Sequence, residues 1–362
     1  MTDTIVSPKV RAKQWDDTLF REYVRANRFK RYMGSNENAI FQVKKDLTKK
    51  KGDAIVITLV GALSSAGGPN NGSTTLVGNE KALPNEGHEI KVGVVRDATV
   101  VNVEEEQASP IDIRDAGRVA LKDLAMNYLR DAIITALGSI NGVAYGTASA
   151  AQRNAWNTAN ADRVLYGAEA ANRVAGDHAA SLLAIPAGQK LTRAVVSKLK
   201  RIAQKAKAAN GSGIRPYRYG EDEETFVIFA GTEPYRDLKT DLETVHKDAR
   251  ARSENNPLFT GTTSLYWDGV VIREIPEIES LGAVGAAGAF VAPIYLCGSQ
   301  ALGIAWAKTL KTTIRKEDDY EFKKGVGFME IRGINKIQWM QGEPEAKDWA
   351  VVTCFIAAEP DV

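Results

Sequence analysis

Residues 58 to 95 read TLVGALSSAGGPNNGSTTLVGNEKALPNEGHEIKVGVV, two strand-like ends around a middle dense in Gly, Asn, Ser and Pro. The flanks are rich in Ile and Val, and Ile90, Val92 and Val94 alternate cleanly, as a half-buried strand requires. The middle holds too few apolar residues to pack a core, and loops beyond roughly 12–15 residues are uncommon inside a compact domain. This predicts a long β-hairpin that leaves the body and orders its tip against something else. Leu63, Gly67, Asn70, Leu76, Asn79, Glu80, Lys81 and Leu83 are the tip residues expected to make that contact.

The strongest local signal follows. In ASPIDIRDAGRVALKDLAMNYLRDAIITALGSING, Ser109 is placed to cap a helix, Pro110 suits its first position, and Asp112 and Asp115 complement the positive helix end. Ile113, Ala116, Ala120, Leu124, Tyr128, Ala132 and Ala136 form one stripe, with Leu121, Leu129, Ile133 and Leu137 beside it, and Gly138 ends the run. From Pro110 to Leu137 such a helix is about 42 Å long. Residues 139 to 190 read as an irregular excursion with short helical pieces. Beyond them the pattern predicts a helix in LTRAVVSKLKRIAQKAKAAN, a strand in ETFVIFAG and a helix in TEPYRDLKTDLETV. A hairpin closed by Asp268-Gly269 comes next, then a strand AFVAPIYLC, a helix-like SQALGIAWAK, strands around TTIRKEDDYEF and MEIRGINKI, and a last strand DWAVVTCFIAAE. The fold class is α+β.

The chain has 362 residues, 44% hydrophobic and 25% charged, which is ordinary for a globular protein, and its net charge is +2. That balance hides an asymmetry. Residues 1 to 51 carry thirteen Lys and Arg against six acids, a net +7 that leaves −5 for the rest. A basic arm on a mildly acidic body is attracted to an anionic surface, either nucleic acid or an acidic patch on a neighbouring copy. Within the arm, residues 15 to 31 predict a short amphipathic helix whose apolar residues Trp15, Leu19, Phe20 and Tyr23 have no local partner, followed by the cations Arg28, Lys30 and Arg31.

Catalytic patterns are missing. GAVGAAG has the spacing G-x-x-G-x-x-G and precedes a strand, whereas a phosphate cradle needs a helix N-terminus behind it, so it reads as a surface loop. His88, His178 and His246 are far apart, Asp318-Asp319 lacks calcium-loop spacing, and Cys297 and Cys354 sit in apolar runs as buried reduced thiols. No metal or cofactor is expected, and no run of about 18 apolar residues proposes a membrane span.

In order, these elements resemble a family. A basic arm with a helix, a long hairpin, a long capped helix, an α+β region and a final strand resemble a major capsid protein of tailed bacteriophages with the Hong Kong 97-like fold. YMGSNENAIFQVKKDLTKKKGDAIVITLV, LVGNEKAL and IDIRDAGRVALKDLAMNYLRDAII are similar to the corresponding stretches of a subfamily known from podovirus-type phages. The resemblance covers nearly the whole chain in element order and is specific from about residue 10 to 140. It implies an N-arm over 1–45, an E-loop over 46–103, a P-domain over 104–190 with a spine helix at 110–137, an A-domain over 191–345, and a P-domain return strand at 346–362. The spine helix would carry Ser109, Pro110, Asp112, Arg114, Leu121, Leu124 and Tyr128. The family builds icosahedral heads from hexamers and pentamers around double-stranded DNA.

Implied partners are therefore further copies of the chain, a separate scaffold protein, a portal, a decoration protein and packaged DNA bound without sequence preference, with assembly in the host cytoplasm and no membrane. Some members cross-link covalently through an E-loop lysine. Lys81 lies in that loop, but nothing in the sequence supplies a reaction partner. Two rivals remain, an encapsulin-type compartment shell of the same fold and a soluble α+β enzyme with its site in 191–345.

Overall fold

The computed structural model describes residues 27–45, 47, 52–63, 68, 70–73, 75–109, 112–206, 213–219, 224–249, 264–315 and 322–361. In chain order the elements are β1 (Met33–Gly34), β2 (Phe41–Lys44), β3 (Ala54–Val60), β4 (Asn85–Lys91), β5 (Gly93–Asn102), α1 (Val103–Ala108), α2 (Ile113–Gly138), α3 (Ala150–Ala159), β6 (Val164–Tyr166), α4 (His178–Leu183) and α5 (Arg193–Lys205). There follow β7 (Arg218–Tyr219), β8 (Glu224–Ala230), α6 (Thr232–Ala249), β9 (Ser264–Trp267), β10 (Val270–Glu274), β11 (Val291–Cys297), β12 (Leu302–Ile314), β13 (Lys323–Lys336), β14 (Gln338–Trp339), β15 (Lys347–Asp348) and β16 (Val351–Ala357). They fall into two compact units. Among the described residues, the larger comprises Arg28–Gly93, Arg130–Ala307 and Arg332–Val362, the smaller Val94–Leu129 and Lys308–Ile331, so α2, β12 and β13 each pass from one to the other.

The larger unit is built on a sheet of order β6-β16-β11-β8-β10-β9, with β7 paired to β8. Its central strands β11 and β16 are buried at every position, which a strand permits only when both faces are covered. On one face lie α5 and α6. The other carries a cluster of Trp156, Tyr166, Ile140, Leu182, Phe355 and their neighbours. The β9–β10 turn holds Asp268 at φ 49° and Gly269 at φ 74°, the doubly left-handed geometry predicted for Asp-Gly.

Residues 139–190 correct the expectation of an irregular excursion. The expected short helical pieces are there, among them α3, opened by a full capping box between Ser149 and Gln152, but the segment also supplies β6, which pairs in parallel with β16. A second correction concerns SQALGIAWAK. It forms the start of strand β12, not a helix, and pairs in parallel with β2. The early part of β12, Leu302 to Ala305, is buried at every position, so its apolar run carried no two-residue alternation to read.

The smaller unit lays α2 on β5 and β13. Leu121 and Ala125, with Leu124 half-buried, pack against Val95, Val326 and Phe328. The buried stripe of α2 is thus the one through Leu121, and Tyr128 of the other predicted stripe is exposed. Capping also differs from expectation: Ser109 closes α1 by donating its backbone N–H to Glu105, and Asp112 Oδ1 accepts from the Asp115 N–H at 2.9 Å. The helix runs for 26 residues, about 39 Å. Pro110 lies outside the described residues.

Candidate assembly surface

The flap is a hairpin of β3 and β4 in antiparallel register, with Ile55 opposite Ile90, Ile57 opposite His88 and Val60 opposite Asn85. Its inner face is fastened to the larger unit. Ile55 and Ile90 pack with Ala305, and Leu59 packs with Ile337 and Trp339, whose ring stacks on Trp349 at 5.6 Å. His88 Nδ1 accepts the Gln338 N–H at 3.2 Å, and the Gln341 side chain both accepts from the Glu89 N–H and donates to its carbonyl. Burial holds His88 down at about 4. One continuous strand was expected from His88 onward; it breaks at Val92 into β4 and β5, because the two halves belong to different sheets.

The tip has a frame of its own. Asn70 Nδ2 donates to the Asn79 carbonyl, Asn79 Nδ2 to the Thr75 carbonyl, and Lys81 Nζ to the Gly68 carbonyl at 3.0 Å, while Glu80 Oε2 accepts the Gly78 N–H at 2.7 Å. Every one of these groups is exposed. The predicted polar residues therefore shape the loop, and the apolar ones face outward. Leu63, Leu76, Val77 and Leu83 are 51%, 65%, 79% and 52% exposed, and Val56 and Val60 continue the apolar face along β3. Val77 escaped the sequence reading, although it adjoins Leu76. Gly67 lies outside the described residues.

The arm's exit is an aromatic anchor that sequence reasoning missed. Phe29 is fully buried, 5.1 Å from the Phe229 ring and 5.6 Å from Phe41, and Tyr32 lies 5.3 Å from Phe229 and accepts a hydrogen bond from Arg273. Of the predicted cations, Arg28 donates to the Glu274 carbonyl at 2.6 Å, whereas Lys30 and Arg31 are exposed in a single 3-10 turn. The predicted helix thus does not reach its expected end, and Trp15, Leu19, Phe20 and Tyr23 lie outside the described residues. On α2, Tyr128 donates to Asp97 at 3.1 Å, which lifts its hydroxyl above the usual range. Asp112 is the cap described above, and the chain at Arg114 is helical.

Chemistry has little to work with here. No cluster of three metal-binding side chains exists among the described residues, and none of their helices is long and apolar enough to cross a membrane. Cys297 and Cys354 are fully buried free thiols, pushed far above their usual range by burial. The dense polar cluster around Asp348 is structural. Asp348 accepts from Lys336 Nζ at 2.7 Å, Gln338 Nε2 at 3.0 Å and Trp156 Nε1 at 3.1 Å, while Arg163 donates to its backbone carbonyl.

A family model described as phage capsid protein matches residues 4–359. Among solved structures, the capsid asymmetric unit of cyanophage Pam1 aligns over 100% of both chains with a TM-score of 0.88 and 32% identity. The capsid of Ralstonia phage GP4 aligns over 100% of both chains at 0.75 and 21% identity, a likeness of fold. The head of Helicobacter pylori bacteriophage KHP40 covers 97% of this chain and 96% of its own at 0.67 and 13% identity, again in fold alone. No curated protein matches.

Proposed function

Because this chain belongs to the phage capsid protein family, as a structural, non-enzymatic major capsid protein of a phage head with the Hong Kong 97-like fold, we propose that its hairpin works as a strap between subunits. The tip, with its outward Leu63, Leu76, Val77 and Leu83, is laid across a neighbouring copy. The observation that carries this reading is a contrast within one element: the base is fastened by buried Ile55, Leu59 and Ile90, while large apolar side chains at the tip stand in solvent. A hairpin that exposes apolar residues and open strand edges gains order and buries area when it meets a partner.

The five-part division read from the sequence, with N-arm, E-loop, P-domain, A-domain and return strand, is the scheme in which the strap works. Copies assemble as hexamers and pentamers in the host cytoplasm, the basic arm faces a neighbour or packaged double-stranded DNA, and scaffold, portal and decoration proteins are separate chains. Shells of this kind spread modest contacts over many copies, so avidity, not one tight interface, holds them. The encapsulin and enzyme alternatives find no support in the comparisons.

Replacing residues 64–82 by Asn-Gly tests the strap. The shortened chain is expected to keep the thermal melt of the full chain and to elute as small oligomers, where the full chain forms capsomers or particles by negative-stain microscopy. Particles of normal yield and curvature from the shortened chain would sink the proposal.

A further inference from the structure

The larger unit holds a cavity of about 270 Å³ that no part of the strap uses. Its floor is one face of the sheet, where Tyr295 of β11 pairs with Thr353 of β16 and Pro293 pairs with Phe355. The last turn of α2, with Ile134, Thr135 and Gly138, forms one wall, and Tyr145 and Trp156 form another. Glu279 lies on its exposed side.

Three observations distinguish this cavity from a packing gap. Thr353 is 4% exposed and lines the space, yet its Oγ1 has no hydrogen-bond partner among the described residues. A buried hydroxyl left in this way is costly, so the site is shaped for a group that bonds to it. The Tyr295 hydroxyl reaches the helix at Gly138, where a Cβ would stand only 2.8 Å from it; the glycine leaves room on that side. Glu279 forms no ion pair or hydrogen bond among the described residues, so the one carboxylate that lines the cavity is available to a cation. The mainly apolar lining also holds the rings of Trp156, Phe355 and Tyr145, the last with its own hydroxyl engaged by His178 at 2.8 Å.

We propose that this cavity binds a compact aromatic amine bearing a hydroxyl, with the ring against Trp156 and Phe355, the hydroxyl on Thr353 Oγ1 and the ammonium toward Glu279. Concave, mainly apolar pockets with a few convergent polar groups are the usual form of a small-ligand site. A bound ring would brace α2 against the sheet and favour the folded state by mass action.

Tyramine, phenethylamine and phenol serve as probes, read by saturation-transfer NMR and thermal melts on the full chain. Tyramine is expected to bind with a dissociation constant on the order of 1 mM, reasonable for a ligand of this size. Loss of either polar end, in phenethylamine or phenol, should weaken binding by about fivefold or more, the effect of one unmade hydrogen bond. Thr353→Val is expected to erase the preference for tyramine over phenethylamine, and Glu279→Gln the preference over phenol. Ala144→Leu should abolish binding of all three by filling the space. Absence of any tyramine signal at concentrations well above that constant, or equal binding to the wild-type chain and to both polar variants, would overturn the proposal.

Discussion

Asp348 shows how much a single side chain can organise. Its side chain and that of Lys336 are each 1% exposed, and around them converge the indole of Trp156 from α3, the amide of Gln338 from β14 and the guanidinium of Arg163 next to β6. Asn160 Oδ1 in turn accepts the Asp348 N–H at 2.8 Å. Truncating one member of a buried ion pair leaves the other charge stranded, at a cost of about 3–5 kcal/mol. Asp348→Ala is therefore expected to lower the unfolding free energy of the unassembled subunit by an amount in that range, read from urea titration, and Lys336→Met added to it should restore part of the loss. None of this was legible in the sequence, where Lys336 and Asp348 look like ordinary charges beside strands. Burial of a charge depends on which distant elements close over it, and the closing elements lie some 190 residues upstream, at Trp156 and Arg163.

Elements were readable where their local pattern and their tertiary setting agree. The long helix, the Asp-Gly hairpin, β8, β11 and β16 all follow from periodicity and turn chemistry. Where packing decides, the pattern misled: β12 was read as a helix because Leu302, Ile304 and Ala305 are buried on both faces, and β6 was overlooked as a three-residue strand that exists only through its pairing with β16. The hairpin base was half legible. Alternation gave β3 and β4, but not the backbone of β13 that presses on them. At Gly333 a Cβ would fall well inside contact distance of the Lys91 carbonyl, and a backbone atom in a strand cannot swing aside. Gly333→Ala is accordingly expected to destabilise the subunit by about 3 kcal/mol, as overpacking does at its costlier end. Hydrogen exchange should show the loss of protection first in Ile55 to Leu59 and His88 to Lys91. Loss spread evenly over α5 and α6 instead would refute this account of how the hairpin is held.

For the whole molecule, acid is the revealing stress. His178 is wedged between the hydroxyls of Tyr145 and Tyr166 at 2.8 and 2.6 Å, ringed by Trp156 and Phe355, and stays near 4 because of its burial and of Arg153, against a smaller opposing pull from Asp177. His88 beneath the hairpin is held equally low by burial. In the unfolded chain both titrate near 6.5, so the unfolded state takes up protons first as pH falls. Their contribution is complete above about 6.5, drains away between 6.5 and 4, and changes no further below 4, at most roughly 3 kcal/mol for each residue. Urea midpoints measured from pH 7.5 to 4 should fall across that window, and the double variant His88→Gln/His178→Gln should flatten the fall. A slope unchanged by the double variant would show that other groups govern acid stability. The two cysteines bear on a different hazard. Cys297 and Cys354 lie at the centre of the seven-stranded sheet with no accessible sulfur surface, so a thiol reagent should label neither until that sheet parts, and then both together at the global unfolding rate. A phage head outside its host has no cellular reductants around it, and the two thiols of this chain are sealed within the subunit. Labelling during storage thus becomes a clock, counting how many subunits of an ageing particle have ever opened.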